Sequence, residues 1–476
     1  MEFRNLTPFP SIAFDALDQR DYRFHTVAMR ITFELQEDGT LALAPVQTPL
    51  VTTDEFYGEL NRSSIKQESD LAPYKPHTDV IVIGDAWAPQ GSACPMFTVA
   101  VKICSAPRTP DLPSEPRGLT PTIRASDEQI AEWQKECAQL RAQALQDTVL
   151  LHKVLTVKGA CEWRQRNPLA RALSFFTLPA WKLTAPQPIT TLPLRYEYSY
   201  GGENKVLVTE PGAKRVGKKH RLAGRMPQTA KAGAANAQEA IAHSVYEANP
   251  IGRGFAENWY LDAARPDRIP APQVEADSEP ITRFNKAYPP QGLGVIGRAW
   301  RPRLTLAGTY DQEWLEKRHP HLPADFDFAY WNGAPADQQV TPHLSGDETI
   351  TLVNLCPATP VTKLDSSGNT NLALPLPGHL PFVLVRFQDG RIGELAAKLD
   401  TLIVDTSSLA SNPQKKIAVV CVWRATVASE PDVRVLEARM LSHDDIVALR
   451  EQASHAGTSL PPTSAIRSEQ ILQPPV

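Results

Sequence analysis

Residues 292–339 read GLGVIGRAWRPRLTLAGTYDQEWLEKRHPHLPADFDFAYWNGAPADQQ and concentrate glycines and aromatic residues. The run 295–306, punctuated by glycines, predicts a strand. Asp311 then predicts a helix N-cap, followed by a helix over 312–318 that Pro320 prevents from continuing. The stretch contains no nucleophile elbow, no phosphate loop and no metal-ligand spacing. A strand, turns and one short capped helix around aromatic-rich loops favour a β-rich fold.

Composition and charge limit the function classes. The chain has 476 residues and a formal net charge of -4, so its overall field favours neither nucleic acid nor an anionic membrane. Proline is abundant, at 43 residues, which is typical of short strands and structured loops rather than long helices. The length allows two or three domains.

The chain shows no signal for export or membrane insertion. Charged residues at Glu2, Arg4 and Asp15 interrupt the region where a signal peptide needs an apolar run, and no later window contains 18 apolar residues. The six cysteines are scattered without a C-x-x-C pair, as in reduced cytosolic proteins. We therefore expect a soluble, cytoplasmic protein.

Strand patterns occur along most of the chain. Alternating apolar runs on both sides of Asp38 and Gly39 predict a β-hairpin. In 181–202, the alternation of Tyr196, Tyr198 and Tyr200 predicts one face of a half-exposed strand. Further apolar runs predict strands at 80–83, 97–103, 348–355, 380–387, 402–405 and 417–423.

Helices are predicted as insertions. Within 105–152, Ser126 and Gln129 form a capping-box signature. The residues that follow carry an apolar stripe with three- and four-residue spacing, which predicts a helix reaching about residue 153; the stripe is Ile130, Trp133, Cys137, Leu140 and Ala144. A second short helix, 442–452, begins at a cap formed by Ser442 and Asp445 and is followed by a proline-rich tail.

These patterns predict a mainly β protein with inserted helices, an α+β, sandwich-like arrangement of two associated β-rich lobes. The lobes cover 1–202 and 249–440, with the helical insertion 105–152 inside the first. Residues 203–248 lose apolar periodicity and form a basic, loop-rich insertion, and 441–476 form the helix and tail. The basic run of that insertion is typical of a solvated loop, since no aromatic residues alternate with it for base stacking; its members are Lys214, Arg215, Lys218, Lys219, Arg221 and Arg225.

Few residues indicate metal binding or catalysis. His319 and His321, beside Asp325 and Asp327, could hold a metal if His343 folded close to them, although surface histidines are more common in such loops. Asp325 with Asp327, or Glu68 with Asp70, could supply the two carboxylates of a glycoside hydrolase, although solvated pairs share the same spacing. Cys94 and Cys356 lack an activating histidine. No cofactor motif is present.

The loop 63–79, SSIKQESDLAPYKPHTD, allows two interpretations. In the structural one, Asp70 caps a turn, Pro73 and Pro76 stiffen it, and Tyr74 fills a surface groove. In the functional one, it is a rigid binding loop.

Several longer motifs together resemble a bacterial family named only as a domain of unknown function, found as a type VI secretion accessory or effector adaptor. They span about 5–425, whereas 105–152 and 203–248 depart from the shared pattern. The motifs are NLTPF (5–9), ESDLAPYKPHTDVIVIGDAWAP (68–89), LPLRYEYSYGG (192–202), NPIGRGF (249–255), AGTYDQEWLEKRHPHLPADFDFAYWNGAPADQQ (307–339) and LDTLIVD (399–405).

The resemblance implies a non-catalytic cytoplasmic adaptor that holds a toxic effector protein and helps to load it on the VgrG spike or its PAAR-like tip. It assigns no catalytic residue. From the residues themselves, we expect the partner contacts at Tyr74, Tyr310, Trp314 and Trp331, because tyrosine and tryptophan are enriched at interface hot spots, although such rings are also common in cores. Two alternatives are a carbohydrate-active β-sandwich hydrolase that uses Asp325 or Asp327 and a structural component of the secretion apparatus.

Overall fold

The computed structural model describes residues 1–105, 113, 127–144, 148–173, 179–228, 237–412, 415–430, 432–442 and 445. Strands dominate these residues, which confirms the mainly β prediction. In the N-terminal part they are β1 (Glu2–Asn5), β2 (Ser11–Leu17), β3 (Arg23–Leu35), β4 (Leu41–Leu43), β5 (Glu55–Phe56), β6 (Ile65–Gln67), β7 (Thr78–Ile83), β8 (Asp85–Trp87), β9 (Met96–Cys104), β10 (Val149–Lys158), β11 (Glu162–Gln165), β12 (Trp181–Leu183), β13 (Thr191–Pro193) and β14 (Tyr200–Gly201).

The later strands are β15 (Glu203–Leu207), β16 (Ala240–Val245), β17 (Arg253–Gly254), β18 (Arg268–Pro270), β19 (Val274–Ala276), β20 (Gln339–Val340), β21 (Thr349–Val353), β22 (Lys363–Leu364), β23 (Thr370–Pro375), β24 (Leu380–Phe387), β25 (Ile392–Ala396), β26 (Lys398–Asp405), β27 (Ala418–Ala428) and β28 (Val433–Leu441). The helices are α1 (Asp127–Ala144), α2 (Pro168–Leu173), α3 (Asn258–Ala264), α4 (Arg301–Leu304), α5 (Gln312–Lys317) and α6 (Ser408–Ser411). Short 3-10 turns lie at Pro89–Gly91, Tyr196–Tyr198, Pro211–Arg215, Lys218–His220, Phe328–Trp331 and Ala336–Gln338.

Three larger sheets share one apolar core. Their strand orders are β2-β3-β27-β26-β7-β20, β19-β10-β9-β21-β23-β22 and β1-β28-β24-β25, and β4 also pairs with β3. Fully buried residues such as Ile31, Val101 and Leu436, one from each sheet, belong to the same cluster. The segments 1–202 and 249–440 contribute neighbouring strands to these sheets, as in β3 with β27 and β7 with β26.

Several predicted elements are confirmed. The hairpin around Gly39 is β3 with β4, in which Leu35 faces Leu41. Strands β7, β9, β21, β24, β26 and β27 cover the runs predicted from 80 onward. Asp311 caps α5, since its side chain accepts the backbone N–H of Trp314. In α1, Cys137 is buried, and Ile130, Trp133 and Leu140 are half-buried.

Other predictions are wrong. The run 295–306 is not a strand: Val295 makes one isolated bridge to Ile65, and α4 begins at Arg301 with Pro302 in its first turn, where a fixed φ suits a helix. Tyr196 and Tyr198 lie in a 3-10 turn because Tyr196 is buried against Trp300 instead of sharing a strand face.

The inserted segments also differ from expectation. Helix α1 ends at Ala144 instead of near 153, and the β-branched run 149–158 forms β10 against β9. Ser126 of the predicted capping box lies outside the described residues. Segment 203–248 contains the hairpin of β15 and β16, with Val206 and Ile241 fully buried. Ser442 and Asp445 exchange the two bonds of a capping box, while most of the helix predicted beyond them lies outside the described residues.

Candidate functional site

An aromatic band lies on the surface where the loop 305–331 meets the loop 70–79. Tyr74 contacts Phe328 edge-to-face, with ring centroids 5.8 Å apart. Phe326 contacts Phe328 at 5.3 Å and Tyr330 at 5.7 Å. Tyr330 then contacts Trp331 at 5.6 Å. Edge-to-face contacts at these distances stabilise ring clusters beyond the area they bury. Together with Tyr310 and Trp314, which are described next, these rings form the aromatic band: Tyr74, Tyr310, Trp314, Phe326, Phe328, Tyr330 and Trp331.

Tyr310 and Trp314 extend the band toward solvent. Their centroids are 4.7 Å apart, and the Trp314 indole N–H donates to the carbonyl of His321 at 2.9 Å. Burial, followed by Tyr330 and Asp325, raises the pKa of the Tyr310 hydroxyl. Thr309, next to Tyr310 in the chain, donates to Asp325, which precedes Phe326, so this pair lies close to the Phe326 end of the band. Tyr310 is 55% exposed. The four residues predicted as partner contacts therefore lie on segments that contact one another, around residues 74, 309–314 and 325–331.

Buried Asp79 holds the loop that carries the end of the band. Its carboxylate accepts the backbone N–H groups of Gly333 at 2.9 Å and Ala334 at 3.1 Å, and the side-chain amide of Asn332 at 3.1 Å. Lys75 supplies the opposite charge at 2.8 Å. A fully buried carboxylate needs this number of donors to offset its lost hydration.

Glu68 holds the other side of the same loop. One of its oxygens accepts from Arg298 at 3.1 Å and from Arg303 at 2.5 Å. The Arg303 guanidinium, only 2% exposed, also donates to the carbonyl of Tyr330 at 2.7 Å. Arg298 lies over the Trp331 ring at 5.3 Å and pairs with Asp54. Buried ion pairs therefore hold the part of the band that contains Tyr330 and Trp331.

The surface beside the band is apolar and exposed. Leu315 on α5 is 53% exposed and Tyr22 is 67% exposed. The turn that carries Tyr22 is joined to the end of α5, because Arg318 pairs with Asp21 at 3.1 Å. Exposed large apolar side chains on segments joined in this way are compatible with an interaction site.

Carboxylates outnumber cations in the stretch 311–327 beside this apolar surface. Only Lys317 and Arg318 supply full positive charge between 311 and 327, and both are paired with carboxylates. The exposed acidic residues of that stretch are Asp311, Glu313, Glu316, Asp325 and Asp327. This part of the rim therefore carries net negative charge, whereas exposed Arg20 and Arg23 flank the turn that carries Tyr22.

The residues considered for a metal site have other partners. His319 lies 5.2 Å from the Trp314 ring, His321 pairs with Asp21 at 3.1 Å, and the His343 ring bonds to the carbonyl of Lys75 at 2.9 Å. In the described ranges, no three His, Cys, Asp or Glu side chains are grouped as metal ligands.

The carboxylates considered for hydrolysis are engaged locally. Asp325 accepts the backbone N–H of Thr309 at 2.9 Å and its hydroxyl at 2.8 Å, and these bonds hold the pKa of Asp325 below its ordinary value. Asp327 caps the 3-10 turn at Ala329. A general acid needs a raised pKa, which is opposite to the shift at Asp325. Two surface depressions, of about 590 and 450 Å³, each have one carboxylate in their lining, Asp262 and Glu247 respectively.

The loop 63–79 is held by a buried ion pair and contributes Tyr74 to the band. Asp70, buried at 6% exposure, accepts with both carboxylate oxygens from Nη1 of Arg30, at 3.0 and 3.1 Å, instead of only capping a turn. Tyr74 is half-buried against Phe328, and burial raises the pKa of its hydroxyl.

The Cys356 thiol, considered as a nucleophile, is buried. Burial raises its pKa to about 12, which leaves it protonated.

Sequence reasoning missed the residues that hold the band. Glu68 was considered as a catalytic carboxylate, Asp79 was not singled out, and Arg298 and Arg303 were placed on a strand. The available signal was a group of charged residues directly before the buried run 80–83, where acidic and basic side chains must be paired. Phe328 and Tyr330 were visible as part of the alternation FDFAYW.

The fold and this surface define a β-rich protein that presents an aromatic band on a rigid support. The family described as "Uncharacterized protein conserved in bacteria (DUF2169)" matches residues 20–109 and 135–412, more than half of the chain, and the chain belongs to it. Residues 110–134 are unmatched, whereas the match includes 203–248, which was expected to depart from the family pattern. Neither curated proteins nor solved structures give a match.

Within the described parts of the chain, no helix is both long and apolar enough to cross a membrane.

Proposed function

We propose that this protein is a non-catalytic adaptor that binds a second protein through the aromatic band. The observation that carries the proposal is the presence of Tyr74, Tyr310, Trp314 and Trp331 on contacting, partly exposed segments, of which the loop that carries Trp331 is held by buried Asp79 and Glu68. Rigid aromatic anchors lose little conformational entropy on binding and dominate interface energetics.

The charge around the band indicates the chemistry of the partner segment. The exposed carboxylates of the stretch 311–327, of which Glu313 is paired with Lys317, favour a segment that combines apolar side chains with lysine or arginine. Following the resemblance of the long motifs, we assign the adaptor to the bacterial cytoplasm, its partner to a type VI secretion effector, and its destination to the VgrG spike or PAAR-like tip.

Co-purification tests this function. The protein is expressed with the effector encoded beside it, and complex formation is compared for wild type and for a variant with alanine at Tyr74, Tyr310, Trp314 and Trp331. We expect the affinity to fall by at least about a hundredfold, since single hot spots contribute about 2 kcal/mol or more. Full retention of the complex by a folded variant would show that the band is not the binding surface.

A matched control replaces four exposed apolar residues away from the band: Val46, Met226, Leu364 and Ile392. Its affinity should equal that of wild type. Stable assembly with the spike in the absence of any effector would instead indicate a structural component of the apparatus. Turnover of a carbohydrate that disappears in Asp325→Asn would indicate the hydrolase.

A further inference from the structure

Three positively charged side chains lie next to one another on a three-stranded sheet, far from the aromatic band in sequence. Strand β11 lies between β12 and β18, and its Arg164 is the register partner of Lys182 on one side and Arg268 on the other. Register partners project from the same face of a sheet. All three residues are exposed. We call them the cationic row.

The row has no evident role in holding the sheet. Like charges directly opposite each other destabilise neighbouring strands. Arg164 pairs with Glu162 of its own strand at 2.5 Å, whereas Lys182 and Arg268 form no ion pair with the residues that the structure describes. The opposite face supplies the packing, since Trp163 and Ile269 are buried there.

Further charged residues lie near the end of these strands, on the face of the sheet opposite to the row. A depression of about 590 Å³ there is lined by Gln165 of β11 and Trp181 of β12, which are register partners, and by Arg215, Asp262 and Arg265. The Nε atom of Arg215 donates to the carbonyl of Ala263 at 2.8 Å, which fixes this side chain. Because Asp262 shares the lining and the depression lies on the other face, the cationic row is separate from this depression.

We propose that the cationic row is a second docking surface, which binds a negatively charged helix of a partner protein. Directly opposed residues have Cβ atoms about 4.5–5.5 Å apart. The Cβ atoms of residues at positions i and i+3 or i+4 of a helix have nearly the same separation, about 5–6 Å, so glutamates at these positions match the row. Residues i and i+2 of an extended strand are about 6.7 Å apart, so a helix lying across β12, β11 and β18 matches the row better.

Charge and geometry favour an acidic protein segment over a nucleic acid as the partner of the row. The chain has a net charge of -4, which disfavours a long polyanion such as duplex DNA beyond the row itself. Trp163 and Trp181, which precede Arg164 and Lys182 in the chain, belong to the opposite face and pack on Phe284, so they are not available for bases stacked above the row. The inference rests on the adaptor proposal only in taking the partner to be a protein, and it requires no contact from the aromatic band.

Binding of a defined peptide tests the proposal. The probe is a fluorescent peptide of about 20 residues, long enough to be helical, with alanine background and glutamates at i, i+4 and i+7. A second peptide has the same composition with the glutamates distributed around the helix. Fluorescence anisotropy at about 50 mM salt, where screening is weak, gives both affinities. We expect the first peptide to bind more tightly.

The variant neutralises the row as Arg164→Gln, Lys182→Gln and Arg268→Gln, and the matched control neutralises three exposed lysines elsewhere, Lys219, Lys363 and Lys415. Affinity for the first peptide should fall by about tenfold in the row variant and remain within about twofold in the control. The melting temperature of the row variant should stay the same or rise, because repulsion between strands is removed.

Four results would overturn the proposal: no binding of the first peptide, equal weakening in both variants, a lower melting temperature of the row variant alone, or tighter row-dependent binding of duplex DNA or phosphatidylserine vesicles. Because the row variant retains the band, and the alanine variant of the band retains the row, the failure of either proposal is seen separately.

Discussion

The carboxylate of Asp79 accepts the backbone N–H of Gly333 at 2.9 Å, and so a residue of β7 fixes the loop that carries Tyr330 and Trp331. Sequence separation hides this relationship, because the donor and acceptor positions are 254 residues apart. The proposed binding surface therefore depends on this buried network as well as on the aromatic residues.

Replacing Asp79 should destabilise the protein strongly. In Asp79→Asn, the buried Lys75 loses its counter-charge, and breaking one partner of a buried pair costs about 3–5 kcal/mol. Urea unfolding measures the loss. Lys75→Met added to Asp79→Asn should recover part of it, whereas Asp389→Asn at an exposed pair serves as the control and should change stability little. An equal effect at both positions would contradict the role assigned to Asp79.

The cap of α5 should affect binding through Trp314. Asp311→Ala removes the acceptor of the Trp314 N–H and should cost about 1 kcal/mol of stability. The partner should also bind less tightly, since the ring is held less firmly. Asp311→Ser keeps a capping oxygen and should restore both properties. Restored stability with unrestored binding would show that the charge at Asp311 contacts the partner directly.

Substitutions of buried members of the band should lower stability, whereas substitutions of exposed members should lower affinity for the partner. Phe326 is only 5% exposed, and its replacement by alanine should cost about 3–5 kcal/mol in thermal or urea unfolding. Tyr310, at 55% exposure, should tolerate alanine with a stability change of about 1 kcal/mol or less, yet lose affinity for the partner. A Tyr310→Ala variant with wild-type affinity would remove this residue from the proposed contact surface.

Glu437 should make stability depend on acid pH. Hydrogen bonds from Arg386 and Arg439 lower the pKa of Glu437 from 4.5 to about 2. Because the folded pKa lies below the unfolded one, the ionised form stabilises the folded state above about pH 4.5, and this contribution is lost as pH falls toward 2. Unfolding free energies measured across this window should fall in wild type and fall less in Glu437→Gln. An identical slope in both proteins would contradict the pairing.

Local patterns predicted the elements whose causes are local. The turn at Gly39 has a positive φ of 85°, which glycine adopts without strain, and the Asp311 cap depends on a residue three positions away. The apolar runs at 80–83 and 380–387 are strands because their side chains are buried on a sheet face.

Features that depend on a residue far away in the sequence were not predicted. Arg30 is an alternating charged residue within β3, a pattern that indicates a solvent-facing position, yet it is 2% exposed because Asp70 neutralises it. The run 295–306 has strand composition, but burial of Arg303 against Glu68 and Tyr330 requires the turn at α4. Composition carries no information on which residue lies across such a contact. Four members of the band, Tyr74, Tyr310, Trp314 and Trp331, were predicted together as partner contacts, whereas the rings between them and the contacts among them required the fold.

The pairing of β3 with β27 aligns Phe24 with Ala428 and Glu34 with Ala418. During translation, this edge of β3 therefore has no neighbour until most of the chain has been synthesised, about 20–80 s later at typical elongation rates. A chain that stops before β27 would leave a long apolar strand with unsatisfied backbone groups, and such edges promote aggregation. Ribosomal pausing or premature termination in the last quarter of the message should consequently yield insoluble fragments rather than partly active ones.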